Sequence, residues 1–275
     1  GYVQSKEAYR TQDEMLETAE KYRSLDIPID CLVQDWNTWE PGKWGNKRVD
    51  KKRYPDLAAM NRKLHDMHIH TMVSVWPNMN AGTEDYEEMK DAELLLNDYA
   101  TYDAFSEKGR EIYWKQAERE LFSGGFDSWW CDSTEPFSGP DWNGEFKREP
   151  WERFRLVGDE HRKFLGAGRA NLYAAAHAKG IYENQRKAAP DKRVLNLTRS
   201  GYASSQKYGT VLWSGDIYAS WDILRKQIHE GLNMCMSGMP YWTLDIGGFF
   251  TVNENWRHRG CSCNEDPTPK WFWSG

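Results

Sequence analysis

At 275 residues and 39% apolar content, the chain can bury one large α/β core or two small ones. Its net charge is −6 and its lysines and arginines are scattered, so it offers no basic face to a nucleic-acid partner. No apolar run reaches the ~18 residues that a membrane-spanning helix needs.

The chain opens on Gly1-Tyr2-Val3, without a start methionine or a secretory signal, and its compartment is not legible. Gly1 to Ser5 reads as the tail of a strand. Thr11-Gln12-Asp13-Glu14 is a capping box, and the spacing of apolar residues behind it predicts a helix to Leu25. Ile29 to Val33 is a short apolar run that ends at Gln34-Asp35-Trp36, a strand delivering a carboxylate. An aromatic loop with Trp39 and Trp44 follows. Tyr54-Pro55-Asp56 predicts a helix with proline in its first turn, running through Leu57, Met60 and Leu64. Thr71 to Val75 is the next strand and ends on Trp76-Pro77. Ala81 to Ala100 is an acidic excursion whose charge reads as a solvated face.

Glu107 to Leu121 is amphipathic and leads into the aromatic run Gly125 to Pro136, where the apolar stretch stops abruptly on Asp132. Ser138 to Gly168, charged around Trp142, Trp151 and Phe154, reads as a long loop or small insertion at the Asp132 end, about residues 138–168. Ala170 to Ala188 predicts a helix. Arg193 to Thr198 is a strand ending at Arg199, and Thr210 to Trp213 is one ending at Ser214-Gly215-Asp216. Ser220 caps a helix to Met236, and Pro240 to Leu244 is a strand ending on Asp245-Ile246-Gly247-Gly248-Phe249.

About seven strand-like runs thus alternate with helices, the pattern of βα units around a parallel sheet. Polar groups recur at the strand C-termini: Asp35, Asp132, Arg199, Asp216 and Asp245. A doubly wound sheet would gather its ligand groups at one crevice beside a glycine-rich phosphate loop, absent here, whereas groups from nearly every strand suit a (β/α)8 barrel. Without repeats or linkers, residues 1–275 read as one barrel domain. No eighth strand follows Asp245, so the barrel is expected to be incomplete.

Fifteen tryptophans bring carbohydrate in as a candidate ligand, because the apolar faces of sugars stack on indole rings. Trp36, Trp76, Trp130, Trp213 and Trp242 all fall near the strand ends that carry the acids. Cleaving a glycosidic bond needs one carboxylate at the anomeric carbon and one carboxylic acid on the leaving oxygen, and this chain supplies several candidates. The five cysteines show no disulfide framework. Cys261-Ser262-Cys263 lacks zinc-knuckle spacing and His68-Ile69-His70 lacks further ligands, so neither a metal nor a cofactor is expected.

The same strand ends resemble glycoside hydrolase family 31 over nearly the whole chain. The family's nucleophile motif, Asp-x-x-Glu-Pro after a strand, is matched by Asp132-Ser133-Thr134-Glu135-Pro136, and its acid/base motif by Trp213-Ser214-Gly215-Asp216. Thr198-Arg199-Ser200-Gly201 and Ser205 to Gly209 follow the family's Arg-containing strand end, with Lys207 where Arg is common. Asp245-Ile246-Gly247-Gly248-Phe249, Gln34-Asp35-Trp36 and Ser74-Val75-Trp76-Pro77 match three more strand ends. The resemblance implies a retaining exo-α-glycosidase on a (β/α)8 barrel, acting on an oligosaccharide or glycoside through a covalent glycosyl-enzyme, without a cofactor. It implies Asp132 as nucleophile and Asp216 as acid/base, with Asp35 and Arg199 on the sugar's hydroxyls. Trp76, Trp130 and Trp213 are implied as pocket walls, and Asp245 as a structural or supporting member of the substrate-binding set.

An α-xyloside or α-glucoside is the favoured substrate. An α-galactosidase or α-N-acetylgalactosaminidase of the same family, a transglycosylase and a non-catalytic sugar-binding fragment are the alternatives. The family's Arg-x-His pair on the last barrel strand is missing here, and its flanking β-domains are expected in the full-length enzyme.

Overall fold

A computed structural model of the protein describes residues 1–137, 150–217 and 219–249. Among these residues seven strands form one sheet: β1 (Val3–Gln4), β2 (Cys31–Gln34), β3 (His70–Val75), β4 (Ser128–Cys131), β5 (Asn196–Thr198), β6 (Thr210–Trp213) and β7 (Trp242–Thr243). Every neighbouring pair is parallel, and the order across the sheet is the order along the chain. Parallel neighbours cannot be joined by a hairpin, so long crossovers carry the helices. α1 (Gln12–Ser24) joins β1 to β2, and α2 (Leu57–Asp66) joins β2 to β3. α3 (Glu84–Asp91) and α4 (Glu107–Ala117) lie between β3 and β4, α5 (Pro150–Leu165) and α6 (Tyr173–Ala188) between β4 and β5, and α7 (Trp221–Met236) between β6 and β7. Among the described residues β1 and β7 remain unpaired edges. This is the expected (β/α)8-type barrel, with seven of its parallel strands among the described residues.

Local chemistry sets the helix starts. The side chains of Thr11, Asp56, Thr83, Ser106 and Ser220 each accept a backbone N–H three residues on, satisfying a donor the helix leaves open. At α2 the cap is Asp56, so Pro55 precedes the helix rather than sitting in its first turn. β5 begins at Asn196 rather than Arg193, and α6 at Tyr173 after a 3₁₀ turn over Ala170–Leu172.

Side-chain alternation divides the core in two. Cys31, Val33, Met72, Trp130, Leu197 and Trp213 point inward and pack together inside the curved sheet. Leu32, Val73, Val75, Trp129 and Cys131, one residue out of phase, face the helices with Met60, Leu64, Trp114 and Ile181. Buried on both faces, these strands carry no alternation of buried and exposed residues, and their polar members Thr71, Ser74, Asn196 and Thr198 are buried with the rest.

The acidic excursion is not wholly a solvated face. Asp85 in α3 is buried with Lys47 from the loop after β2, each 1% exposed at the side chain, and their charged atoms lie 3.9 Å apart. The segment at 138–168 lies partly outside the described residues. Its described part is α5 followed by a turn, and the His161 ring of α5 bridges the Val157 and Glu135 carbonyls.

Candidate active site

Two strands leave the sheet by the same turn. Asp35 is the first residue after β2 and Asp132 the first after β4. Each is followed by a non-glycine residue with left-handed backbone, Trp36 at φ 55° and Ser133 at φ 51°. Such a conformation costs on the order of 1 kcal/mol. In both turns the amide of that residue donates to the preceding carboxyl's Oδ1 at 2.6 Å, a short bond that holds the turn. The turn bends each carboxylate back over the end of the sheet.

Arg199, the residue after β5, joins the acids. Its Nη1 lies 3.4 Å from Asp132 Oδ1 and 3.2 Å from Asp216 Oδ2. Its Nε and Nη2 both reach Glu135 Oε1, at 2.9 and 2.8 Å, and Nη2 also donates to Ser133 Oγ at 3.2 Å. One guanidinium, 12% exposed, therefore serves three carboxylates from the ends of β4 and β6. Ser200 Oγ donates to the other oxygen of Glu135 at 3.1 Å. Glu135 is the member that sequence reasoning missed. It stood within the Asp132 motif, and the pairing with Arg199 that brings it to the other acids spans 64 residues.

Burial is the largest influence on the protonation of Asp35, Asp132, Asp216 and Asp245. The Asp132 carboxyl is pushed up to about 7 by burial, against the Arg199 charge, with Asp216 and Glu135 adding repulsion. Asp216 is raised by burial, held back by Arg199 and raised further by Glu135. Asp35 stands well above the usual carboxylate range through burial and the Asp132 charge. Asp245, after β7, is pushed up to about 7 by burial and by the charges of Asp216 and Asp132. Glu7, three residues beyond β1, is raised by burial and also feels Asp216; it is a second acid that sequence reasoning passed over. Asp35, Asp132, Arg199, Asp216 and Asp245 thus share one end of the sheet and one electrostatic environment.

The aromatic residues fall into two groups. Trp130 and Trp213, with ring centroids 4.7 Å apart, cap the interior core as a floor, and the Arg199 guanidinium lies 5.9 Å from the Trp213 ring. Trp76 stands at the end of β3, half-buried, and meets Trp44 edge-on at 4.7 Å, with Trp36 and Trp39 on the other sides of Trp44. Trp76 Nε1, Trp213 Nε1 and Ser214 Oγ are buried without a protein partner among the described residues. A ligand hydroxyl could satisfy such groups.

Residues 1–272 match the profile of the glycosyl hydrolases family 31 TIM-barrel domain. The chain is 34% identical over 253 residues to an α-xylosidase of Saccharolobus solfataricus, covering 92% of this chain and 33% of that one. It is 26% identical over 280 residues to α-xylosidase A of Aspergillus niger, covering 93% of this chain and 38% of that one. The crystal structure of a family 31 α-xylosidase from Xanthomonas citri superposes with a TM-score of 0.79 at 35% identity, over 93% of this chain and 28% of the other. The chain thus spans about a third of the length of the curated relatives it matches.

Proposed function

The chain belongs to glycoside hydrolase family 31, and from that membership and its strand ends we propose that it forms the catalytic barrel of a retaining exo-α-glycosidase. The observation that carries the proposal is Arg199, whose guanidinium gathers Asp132, Asp216 and Glu135 over one mouth of the barrel. Asp132 is the nucleophile: its backbone is fixed by the strained turn, and Arg199 stabilises its anion at the anomeric carbon. Asp216 is the acid/base. Burial and Glu135 favour its protonated form, from which it donates to the leaving oxygen and then takes a proton from the incoming water. Asp35 and Arg199 bind hydroxyls of the terminal sugar, with Asp245 supporting them from β7. The α-xylosidases among its relatives favour an α-xyloside, with an α-glucoside next.

The test is the first-formed product. Full-length protein incubated with nitrophenyl α-xyloside and α-glucoside should release sugar whose proton NMR spectrum first shows the α anomer. A β anomer formed first would mean inversion and would remove Asp132 from its role.

A second expectation concerns pH. Glu135 raises both Asp132 and Asp216 by its charge, and it also occupies the Arg199 fork. Glu135→Gln removes one repulsive charge and leaves Arg199 freer to stabilise the other two anions, so both carboxyl pKa values should fall. Both limbs of the kcat/KM profile are therefore expected to move to lower pH, by about one unit. A shift to higher pH would contradict the electrostatic account. The limbs belong to the coupled pair, not to either acid alone.

A further inference from the structure

We propose that His161, on the helix α5 between β4 and β5, is a positioning residue for the acid cluster. Its ring holds the backbone carbonyl of Glu135, and so the carboxylate that occupies the Arg199 fork. The inference rests on the α-glycosidase proposal, which gives the cluster its chemistry.

Glu135 lies farther beyond its strand than Asp132, Arg199, Asp216 or Asp245 beyond theirs, so sheet register alone does not fix it. A short turn fixes it instead, braced from three directions. The Thr134 hydroxyl meets the Thr198 hydroxyl of β5 at 2.5 Å. The Phe137 amide donates back to the Glu135 carbonyl at 2.7 Å, and His161 Nε2 meets the same carbonyl from α5. A carbonyl oxygen has two lone pairs, and both are used here. Phe137, buried, packs on the Phe164 ring at 4.9 Å and edge-on against the His161 ring at 5.4 Å. Helix α5 therefore docks on the turn through aromatic rings and one polar contact, and the polar contact falls on Glu135.

The other ring nitrogen, Nδ1, lies 2.8 Å from the Val157 carbonyl, one turn back along α5. Carbonyl oxygens only accept, so the ring donates to both when it carries two protons and to one when it carries one. The charged groups on the elements that meet here are already engaged. Glu135 pairs with Arg199, Asp159 pairs with Arg155 and Arg162 along α5, Lys163 lies over the Phe164 ring, and Arg169 lies 5.2 Å from the Phe105 ring. Glu160 precedes His161 on the helix. None of these side chains hydrogen-bonds to the His161 ring, whose polar partners among the described residues are the two carbonyls.

A small displacement of Glu135 matters because one guanidinium is shared among three carboxylates. Were His161 only part of the packing of α5, its loss would lower the melting temperature and leave the titration of the acids where it is.

The experiment measures the pH dependence of kcat/KM in the full-length protein, on nitrophenyl α-xyloside or α-glucoside, for His161→Phe, Glu135→Gln and the two combined. His161→Phe keeps a ring against Phe137 and removes the contact with Glu135. A Glu135 that leaves the fork frees Arg199 to stabilise Asp132 and Asp216 as anions. Both limbs should then move to lower pH by roughly half a unit, in the direction expected of Glu135→Gln. In the double variant His161→Phe should add nothing to the Glu135→Gln shift, because the one acts through the other. His161→Gln, whose amide still donates to the carbonyl, should keep the wild-type profile. A shift to higher pH would mean that the ring acts by its own charge. That result, shifts that add in the double variant, a His161→Gln profile displaced as far as that of His161→Phe, or a lower Tm with unmoved limbs would overturn the positioning role and leave the glycosidase proposal intact. A wild-type protein that cleaves neither glycoside would overturn both.

Discussion

Asp132→Ala is expected to lower kcat on every α-glycoside by on the order of 10⁴-fold or more, since no glycosyl-enzyme can form without the attacking carboxylate. No choice of leaving group should restore it. Asp216→Ala should behave differently, because the step it serves depends on the leaving group. A glycosyl fluoride or an aryl glycoside with an acidic phenol departs without a proton, so its glycosyl-enzyme should still form. That intermediate then waits for a nucleophile that needs no general base. Azide is such a nucleophile, and with Asp216→Ala it should release a glycosyl azide of retained configuration. If Asp132→Ala is the variant that azide rescues with retention, the two roles are reversed.

The second large effect is at Arg199. The guanidinium is 12% exposed and touches Asp132, Asp216 and Glu135, so Arg199→Ala leaves three crowded acids without their cation. Removing one partner from a buried charge network costs about 3–5 kcal/mol. The loss should depend on pH with a definite sign. Asp132 already stands at about 7 when folded, above the unfolded carboxylate value, and losing Arg199 raises it further. The folded protein then binds more protons than the unfolded chain, so its stability falls as pH rises from about 4 through neutrality. Thermal melts should show a larger drop in Tm at pH 8 than at pH 5. Turnover at neutral pH should fall as well, because Asp132 is then largely protonated. Arg199→Lys restores a charge but not the fork that reaches Glu135 and the two aspartates together, so it should recover stability better than rate. A loss of Tm that is greatest at pH 5 would refute this account.

Much of this was legible in the residues. The parallel sheet followed from short apolar runs that alternate with capped helices, because a strand buried on both faces has no polar side to show. Asp35, Asp132, Arg199, Asp216 and Asp245 could be placed at strand ends because a charge stops an apolar run where the chain leaves the core. Thr11 and Ser220 mark helix starts for an equally local reason: a short polar side chain satisfies an amide three residues away. These are properties of chain period and neighbour chemistry, and the sequence by itself determined them.

What only the tertiary structure decided are the contacts between strand ends. Glu135 reaches Arg199 across 64 residues because the register of β4 against β5, Cys131 beside Thr198, brings Arg199 level with the start of the turn that carries Glu135. Nothing in the sequence singles out Lys47, and only the docking of the β2 loop on α3 buries it beside Asp85. Trp44 meets Trp76 because the loops after β2 and β3 touch at Gly45. The protonation of Asp132 also turned on assembly. Pairing with Arg199 predicts a low value, but burial at the barrel mouth outweighs the pairing and lifts it to about 7. Desolvation belongs to the enclosed volume, not to a residue's neighbours along the chain, so no spacing in the sequence encodes it.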